Sequence, residues 1–164
     1  MSSTPSSEHI STFAFTYKRY EDIADLSEVD QHLLAEALQA TQLAYSPYSN
    51  FRVGAAVLLE DGTILIGSNQ ENAAFSMTLC AERVALFAAN LSHRFKKITA
   101  VAITACNEKG ICDISPCGAC RQVMVEFEKL HQHNMRVLIR CSDHTIVTES
   151  ARCLLPFAFD SLDA

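Results

Sequence analysis

Two short runs, Cys80-Ala81-Glu82 and Pro116-Cys117-Gly118-Ala119-Cys120, constrain this chain more than any other feature, because a fold that uses them together must bring two distant segments to one point. Three thiols and a carboxylate in this pattern read as an open zinc site. Zinc takes thiolates in tetrahedral geometry, and a catalytic site supplies three protein ligands while leaving the fourth position for water. Cys-x-x-Cys alone is weak, since it also suits redox motifs and half of a structural zinc knuckle; the partner run gives it weight. A fourth ligand would make the site structural, and Cys112, five residues before Cys117, is the best candidate for one. Neither Cys153 nor any of the six histidines stands at a compelling ligand spacing. The alternating patterns over Ile98–Cys106 and Arg136–Cys141 make Cys106 and Cys141 ordinary small hydrophobes on strands.

Composition narrows the setting. At 164 residues and 49% hydrophobic, the chain suits one domain with a real core, and no stretch reaches the apolar length of a membrane span. The start, Met1 to Ser7, lacks the basic and apolar regions of a secretory signal. Seven cysteines, an odd number, then point to a reducing cytoplasm and metal chemistry rather than disulfides. Net charge is −6, and the 13 Lys and Arg residues form no run longer than a pair. Polynucleotide binding, which draws on basic stripes, is disfavoured. A small substrate fits better.

Along the chain, residues 1–11 are expected to be a disordered Ser-rich tail. An N-terminal extension follows over 12–28, in which Phe13, Phe15 and Tyr17 alternate like an added edge strand and Glu21 to Asp30 is acidic and linker-like. Within the main domain, 29–164, the spacing of Val29, Leu33, Leu34, Ala37, Leu38 and Leu43 predicts a helix that stops before Ser46-Pro47. Strands over Arg52–Glu60 and Thr63–Asn69 are joined by Asp61-Gly62, a two-residue hairpin signal. A helix over Leu79–Leu91, a strand over Ile98–Cys106, a helix over Gly118–His131 and strands over Arg136–Cys141 and Thr145–Thr148 complete an α/β fold with a mixed five-stranded sheet flanked by helices. The last two strands are separated only by Ser142-Asp143-His144, too few residues for a parallel crossover, so as neighbours they are antiparallel.

The helix assignments put Cys80, Cys117 and Cys120 at helix N-termini, where unpaired N–H groups and the positive end of the dipole favour thiolates. Three thiolates on one zinc still leave a charge of −1, so a compensating cation is expected. Arg83 is the candidate, with an ordinary exposed helical arginine as the alternative. Glu82, two residues from a ligand, can lean over the metal without coordinating it and act as general base and then acid.

This pattern is a known signature of zinc deaminases. With Arg121-Gln122-Val123 following Cys120, the chain closely resembles the small homotetrameric cytidine deaminases over about Tyr45 to Phe159, a three-layer fold, leaving the first forty or so residues outside. The resemblance implies one zinc per chain on Cys80, Cys117 and Cys120, with Glu82 as proton shuttle in hydrolysis of the amino group of cytidine, and of deoxycytidine. It implies that Phe51 packs by the pyrimidine, that Asn69 and Glu71 hold ribose hydroxyls, and that Ala81 offers its backbone to the base. In Leu154-Leu155-Pro156-Phe157-Ala158-Phe159, it implies that Phe159 reaches into a neighbouring subunit's site. Bland readings stand beside these: a polar strand-end turn for Asn69 to Asn72 and a core aromatic for Phe51. Blasticidin-type deaminases share the zinc pattern, but the Asn69 and Glu71 pair argues for a nucleoside. The short connection between the last two strands and the acidic charge speak against polynucleotide-editing deaminases. A structural zinc module, from a different class, would have no need of Glu82.

Overall fold

Strand β2 (Arg52–Leu59) is apolar on both faces, and its alternation sorts the molecule into layers. In the computed structural model, which describes residues 9–161, Val53, Ala55, Val57 and Leu59 enter one hydrophobic cluster and Ala56 the other. Strand β4 (Ile98–Asn107) behaves alike, with Val101, Ile103 and Ala105 on one side and Ala100 and Ala102 on the other. Successive side chains in a strand point to opposite faces, so such strands need cover on both. Helix α1 (Glu28–Ala40) covers one face through Leu33, Leu34 and Ala37. Helices α2 (Ala81–Ser92) and α3 (Gly118–His131) cover the other through Ala85, Leu86, Ala89, Met124 and Phe127.

With β1 (Lys18–Tyr20), β3 (Ile64–Ser68), β5 (Gly110–Cys112), β6 (Arg136–Arg140) and β7 (Thr145–Thr148), the sheet order is β1-β7-β6-β4-β2-β3, with β5 paired to β4. Strands β4 and β6 are parallel, bridged by α3, and β6 and β7 are antiparallel. All five expected strands are present, and β1 and β5 bring the total to seven. Among the described residues no helix is long and apolar enough to cross a membrane.

The differences from expectation lie at the periphery. The expected tail over 1–11 falls largely outside the described residues. An edge strand does form, but over Lys18–Tyr20 rather than Phe13–Tyr17. Lys18 pairs with Val147, and β7 ends at Thr148, so the aromatic segment ahead of Lys18 has no ladder to join. Extended backbone becomes a strand only where a neighbour supplies hydrogen bonds. Phe15 and Tyr17 instead line a cavity of about 410 Å³ with Ile139, Ile146, Leu154 and Pro156. The hairpin after β2 has three loop residues, not two: Leu59 N–H donates to Thr63 O (2.9 Å), Gly62 N–H donates to Leu59 O (3.0 Å), and Gly62 takes φ +85°. That is a turn followed by a left-handed glycine. The acidic stretch from Glu21 holds a one-turn helix, Ile23–Asp25, and the first turn of α1.

Two buried carboxylates fasten the layers. Asp30 accepts both Arg136 Nη groups (2.9 and 2.7 Å), joining α1 to β6. Burial opposes its charge, but the paired guanidinium bonds hold its carboxyl below the ordinary range. Glu128 accepts from the backbone N–H of Met135 (2.7 Å), Ala151 (2.9 Å) and Arg152 (3.1 Å) and from Ser150 Oγ (3.0 Å). It fastens the start of β6 and the one-turn helix Ala151–Leu154 to α3.

Helix α2 sits close on β3 because residue 67 has no side chain. A Cβ on Gly67 would lie 2.5 Å from Ala85 N and 2.7 Å from Ala81 O, both backbone atoms of α2. Neither can yield alone. Gly67→Ala is therefore expected to destabilise the fold by about 2 kcal/mol or more, read as a lower midpoint in denaturant unfolding. A midpoint equal to that of the unmodified protein would show that α2 does not need this approach.

Candidate metal centre

Cys80 and Cys117 are the N-caps of α2 and α3, and Cys120 lies in the first turn of α3. Both helices pack on the same face of the sheet, so their starts converge. Cys80 Sγ lies 3.8 Å from Cys117 Sγ, and Cys117 Sγ 3.5 Å from Cys120 Sγ. A tetrahedral zinc about 2.3 Å from each sulfur requires sulfur-to-sulfur edges of about 3.8 Å, so the donor set fits the ion. Among the described residues this is the only group of three or more His, Cys, Asp or Glu whose ligand atoms all lie within 4.8 Å of one another. Cys112 is not in it; its Sγ faces the Gly110 carbonyl at 3.5 Å. The three ligands make one zinc site per chain, with one corner free of these side chains.

Charge in the cluster is unevenly held. A hydrogen bond from Cys120, helped by Arg83 and Cys117, brings the Cys80 thiol down to about 5, whereas the Cys80 sulfur and burial push Cys120 upward. The sequence reading favoured thiolates at all three positions through the helix N-termini. Like charges this close oppose each other, and a divalent cation bound among the three sulfurs would favour their ionised forms together. Arg83 Nη2 donates to Thr78 O (3.3 Å) and contacts Cys80 Sγ (3.8 Å). Its Nε is buried without a partner among the described residues, which leaves the sulfurs as its principal counter-charge.

Ala81 is fully buried and Glu82 is 3% exposed. Burial pushes the Glu82 carboxyl above its ordinary range, against the pull of its own backbone N–H and of the Cys120 thiol. A carboxylate beside the sulfurs, largely sealed from bulk water, can hold a proton and release it.

Short ladders set these residues in place. Gln70 and Leu79 exchange both backbone hydrogen bonds (2.9 and 3.0 Å), fixing the chain just ahead of Cys80, while Tyr45 N–H donates to Asn69 O and Glu71 N–H to Tyr45 O. Arg121 braces the other approach: Nε donates to Pro116 O (2.7 Å), Nη2 to Ser115 Oγ (2.9 Å) and Nη1 to Leu154 O (3.0 Å). Sequence reasoning missed Arg121, and its position beside Cys120 was the available signal.

Phe51 is half-buried and packs against the same core cluster as Cys80, Ala81 and Cys120. Asn69 is buried; its Oδ1 accepts from Val53 N–H (2.8 Å) and its Nδ2 donates to Phe51 O (2.9 Å). Glu71 accepts from the N–H groups of Tyr48 (2.9 Å) and Ser49 (3.3 Å) and from Ser49 Oγ. The Ser49 hydroxyl first, then the Tyr48 N–H, hold its carboxyl below the ordinary range. Asn69 and Glu71 thus shape the loop that carries Phe51, a structural duty the sequence reading did not assign. Phe159 stands apart on the C-terminal segment, 66% exposed.

The family described as the cytidine and deoxycytidylate deaminase zinc-binding region matches residues 27–134, so the likeness reaches back through α1, beyond the start at Tyr45 that the motifs marked. Cytidine deaminase from Halalkalibacterium halodurans is 42% identical over 137 residues, 81% of this chain and 96% of that protein. Cytidine deaminase from Sporosarcina psychrophila is 45% identical over 133 residues, 81% of this chain and 93% of that protein. The crystal structure of cytidine deaminase from Burkholderia pseudomallei superposes with a TM-score of 0.68 at 39% identity, covering 82% of this chain and 100% of that one.

Metal analysis of the purified protein is expected to find about one zinc per chain. Cys80→Ser, Cys117→Ser or Cys120→Ser should each lower that content, while Cys112→Ser should leave it unchanged. Loss of zinc in Cys112→Ser would place a fourth sulfur on the ion.

Proposed function

Because the chain belongs to the cytidine and deoxycytidylate deaminase family, we propose that it hydrolyses cytidine to uridine and deoxycytidine to deoxyuridine, releasing ammonia. Glu82 is the observation that carries this reading. A carboxylate 3% exposed, set two residues beyond one sulfur ligand and against another, is costly to bury and of no use to an inert zinc clamp.

Cys80, Cys117 and Cys120 would hold the zinc, which would supply a Lewis acid and an acidified water. Glu82 moves the protons: it takes one from the water as oxygen bonds to the amino-bearing ring carbon, and delivers it to the adjacent ring nitrogen. It then takes the proton of the hydroxyl now on that carbon and passes it to the amino nitrogen, so that the carbon–nitrogen bond breaks, ammonia leaves and the carbonyl forms. Burial, which raises its proton affinity, suits both halves of that exchange. Arg83 offsets the charge of the sulfurs. Ala81, at the first position of α2, has an N–H with no partner inside the helix to offer to the base.

Phe51 packs by the pyrimidine. Asn69 and Glu71 hold the 3′-hydroxyl of the sugar; after its bonds to Phe51 and Val53, the Asn69 amide keeps one proton and one lone pair. A clamp on that hydroxyl admits both ribose and deoxyribose. The working enzyme is a homotetramer in which Phe159 completes the site of a neighbouring subunit. It consists of an extension over 12–28 and a catalytic domain over 29–164, and an odd count of seven cysteines supports the cytoplasm as its compartment.

Steady-state turnover on cytidine, deoxycytidine, blasticidin S and a cytosine-containing oligonucleotide tests this directly. Activity is expected on the two nucleosides alone. Glu82→Gln should lower kcat by about a thousandfold, the scale of general acid–base catalysis, with zinc content retained. Full turnover by Glu82→Gln would remove it as the proton shuttle.

A further inference from the structure

The C-terminal segment combines a tightly held backbone with an unpartnered aromatic ring. Gln122, two residues beyond the ligand Cys120 on α3, bonds both polar groups of Phe159: Nε2 donates to Phe159 O (2.6 Å) and Oε1 accepts from Phe159 N–H (3.2 Å). The next residue is held as well. Lys129 Nζ donates to Asp160 O, and the Asp160 carboxylate pairs with Arg152 at 2.7 Å. Arg152 is itself anchored through its N–H to buried Glu128.

Upstream, Phe157 takes φ +56°, a left-handed conformation that bulky side chains rarely adopt. Such strain persists where the surroundings over-determine it, and here the surroundings are the bonds on the two residues that follow Ala158. They turn the chain back onto α3 while Phe159 stays 66% exposed and Phe157 before it is fully exposed. A segment tied down only for its own packing would bury its aromatic and leave its polar groups to water. This one does the reverse.

We infer that Gln122 is a positioning residue, which fixes the Phe159 backbone so that the ring is presented to the active site of a second copy of the chain. The inference rests on the reading that Phe159 completes a neighbouring site, and it adds the group that aims it. Gln122 sits on the helix that carries Cys117 and Cys120, so the donor ring of one site is referenced to the metal scaffold of its own subunit.

A double-mutant cycle separates the two layers of this argument. Cytidine KM, kcat, zinc content and oligomeric mass are measured for Phe159→Ala, for Gln122→Met, which keeps length and helix propensity but loses both hydrogen bonds, and for the double variant. If Gln122 acts through Phe159, each single change raises KM by up to about tenfold, the scale of one aromatic contact. Zinc content then stays constant, and the double variant is no worse than Phe159→Ala. A normal KM for Gln122→Met beside a raised KM for Phe159→Ala would overturn the positioning role, as would additive effects. A normal KM for Phe159→Ala would overturn the shared-site reading beneath it. If Gln122→Met does not fold, Gln122→Ala serves in the same cycle.

Discussion

Two helices must begin within a sulfur's reach of each other while both lie flat on one face of a sheet, and most of this structure serves that demand. Cys80 and Cys117 are cap residues, so the separation of their sulfurs is also the separation of two helix starts. On the α2 side, the absence of a side chain at Gly67 lets the helix rest on β3, and the Gln70–Leu79 exchange fixes its approach. On the α3 side, Arg121 wraps the Ser115-Pro116 turn. Hydrophobic burial supplies the packing force but is indifferent to an ångström of sliding. These directional contacts supply the register.

Electrostatics explains why the site is half sealed. Three anionic sulfurs and a dication would leave one negative charge, and the Arg83 guanidinium lies 3.8 Å from Cys80 Sγ. Glu82 brings a carboxyl to the same place, and burial raises its proton affinity. The carboxyl and the guanidinium lie next to each other in sequence and bring groups of opposite charge type to one cluster.

Elements whose logic is local were legible in the sequence. Helix α3 and strand β7 have the boundaries expected from apolar period and flanking residues, and Cys106 and Cys141 are buried as small hydrophobes. The zinc ligands were legible because thiol spacing is a chemical constraint rather than a packing one. Phe51, Asn69 and Glu71, proposed to contact the substrate, could be singled out only through family resemblance, since by composition Asn69 and Glu71 read as a polar strand-end turn and Phe51 as a core aromatic. Contacts that join distant segments stayed hidden. In Glu126-Phe127-Glu128-Lys129, Glu128 looks like one more exposed helical charge, yet its donors come from residues 135 and 150–152, which only the finished fold brings near. The aromatic stretch from Phe13 misled for the same reason: alternation announces extended chain, whereas a strand also depends on where its neighbour ends.

The pairing of β1 with β7 joins Lys18–Tyr20 to strand residues far along the chain, Thr145 to Val147. Chain closure across most of the sequence carries an entropic cost that three residue pairs repay only modestly. The remaining strands can zip together through nearer partners, β2 with β3 and β4, and β6 with β7. Strand β1 joins the sheet only through β7, which itself pairs with β6. Held at the rim by three residue pairs, β1 has fewer ladder bonds to lose than the central strands β2 and β4.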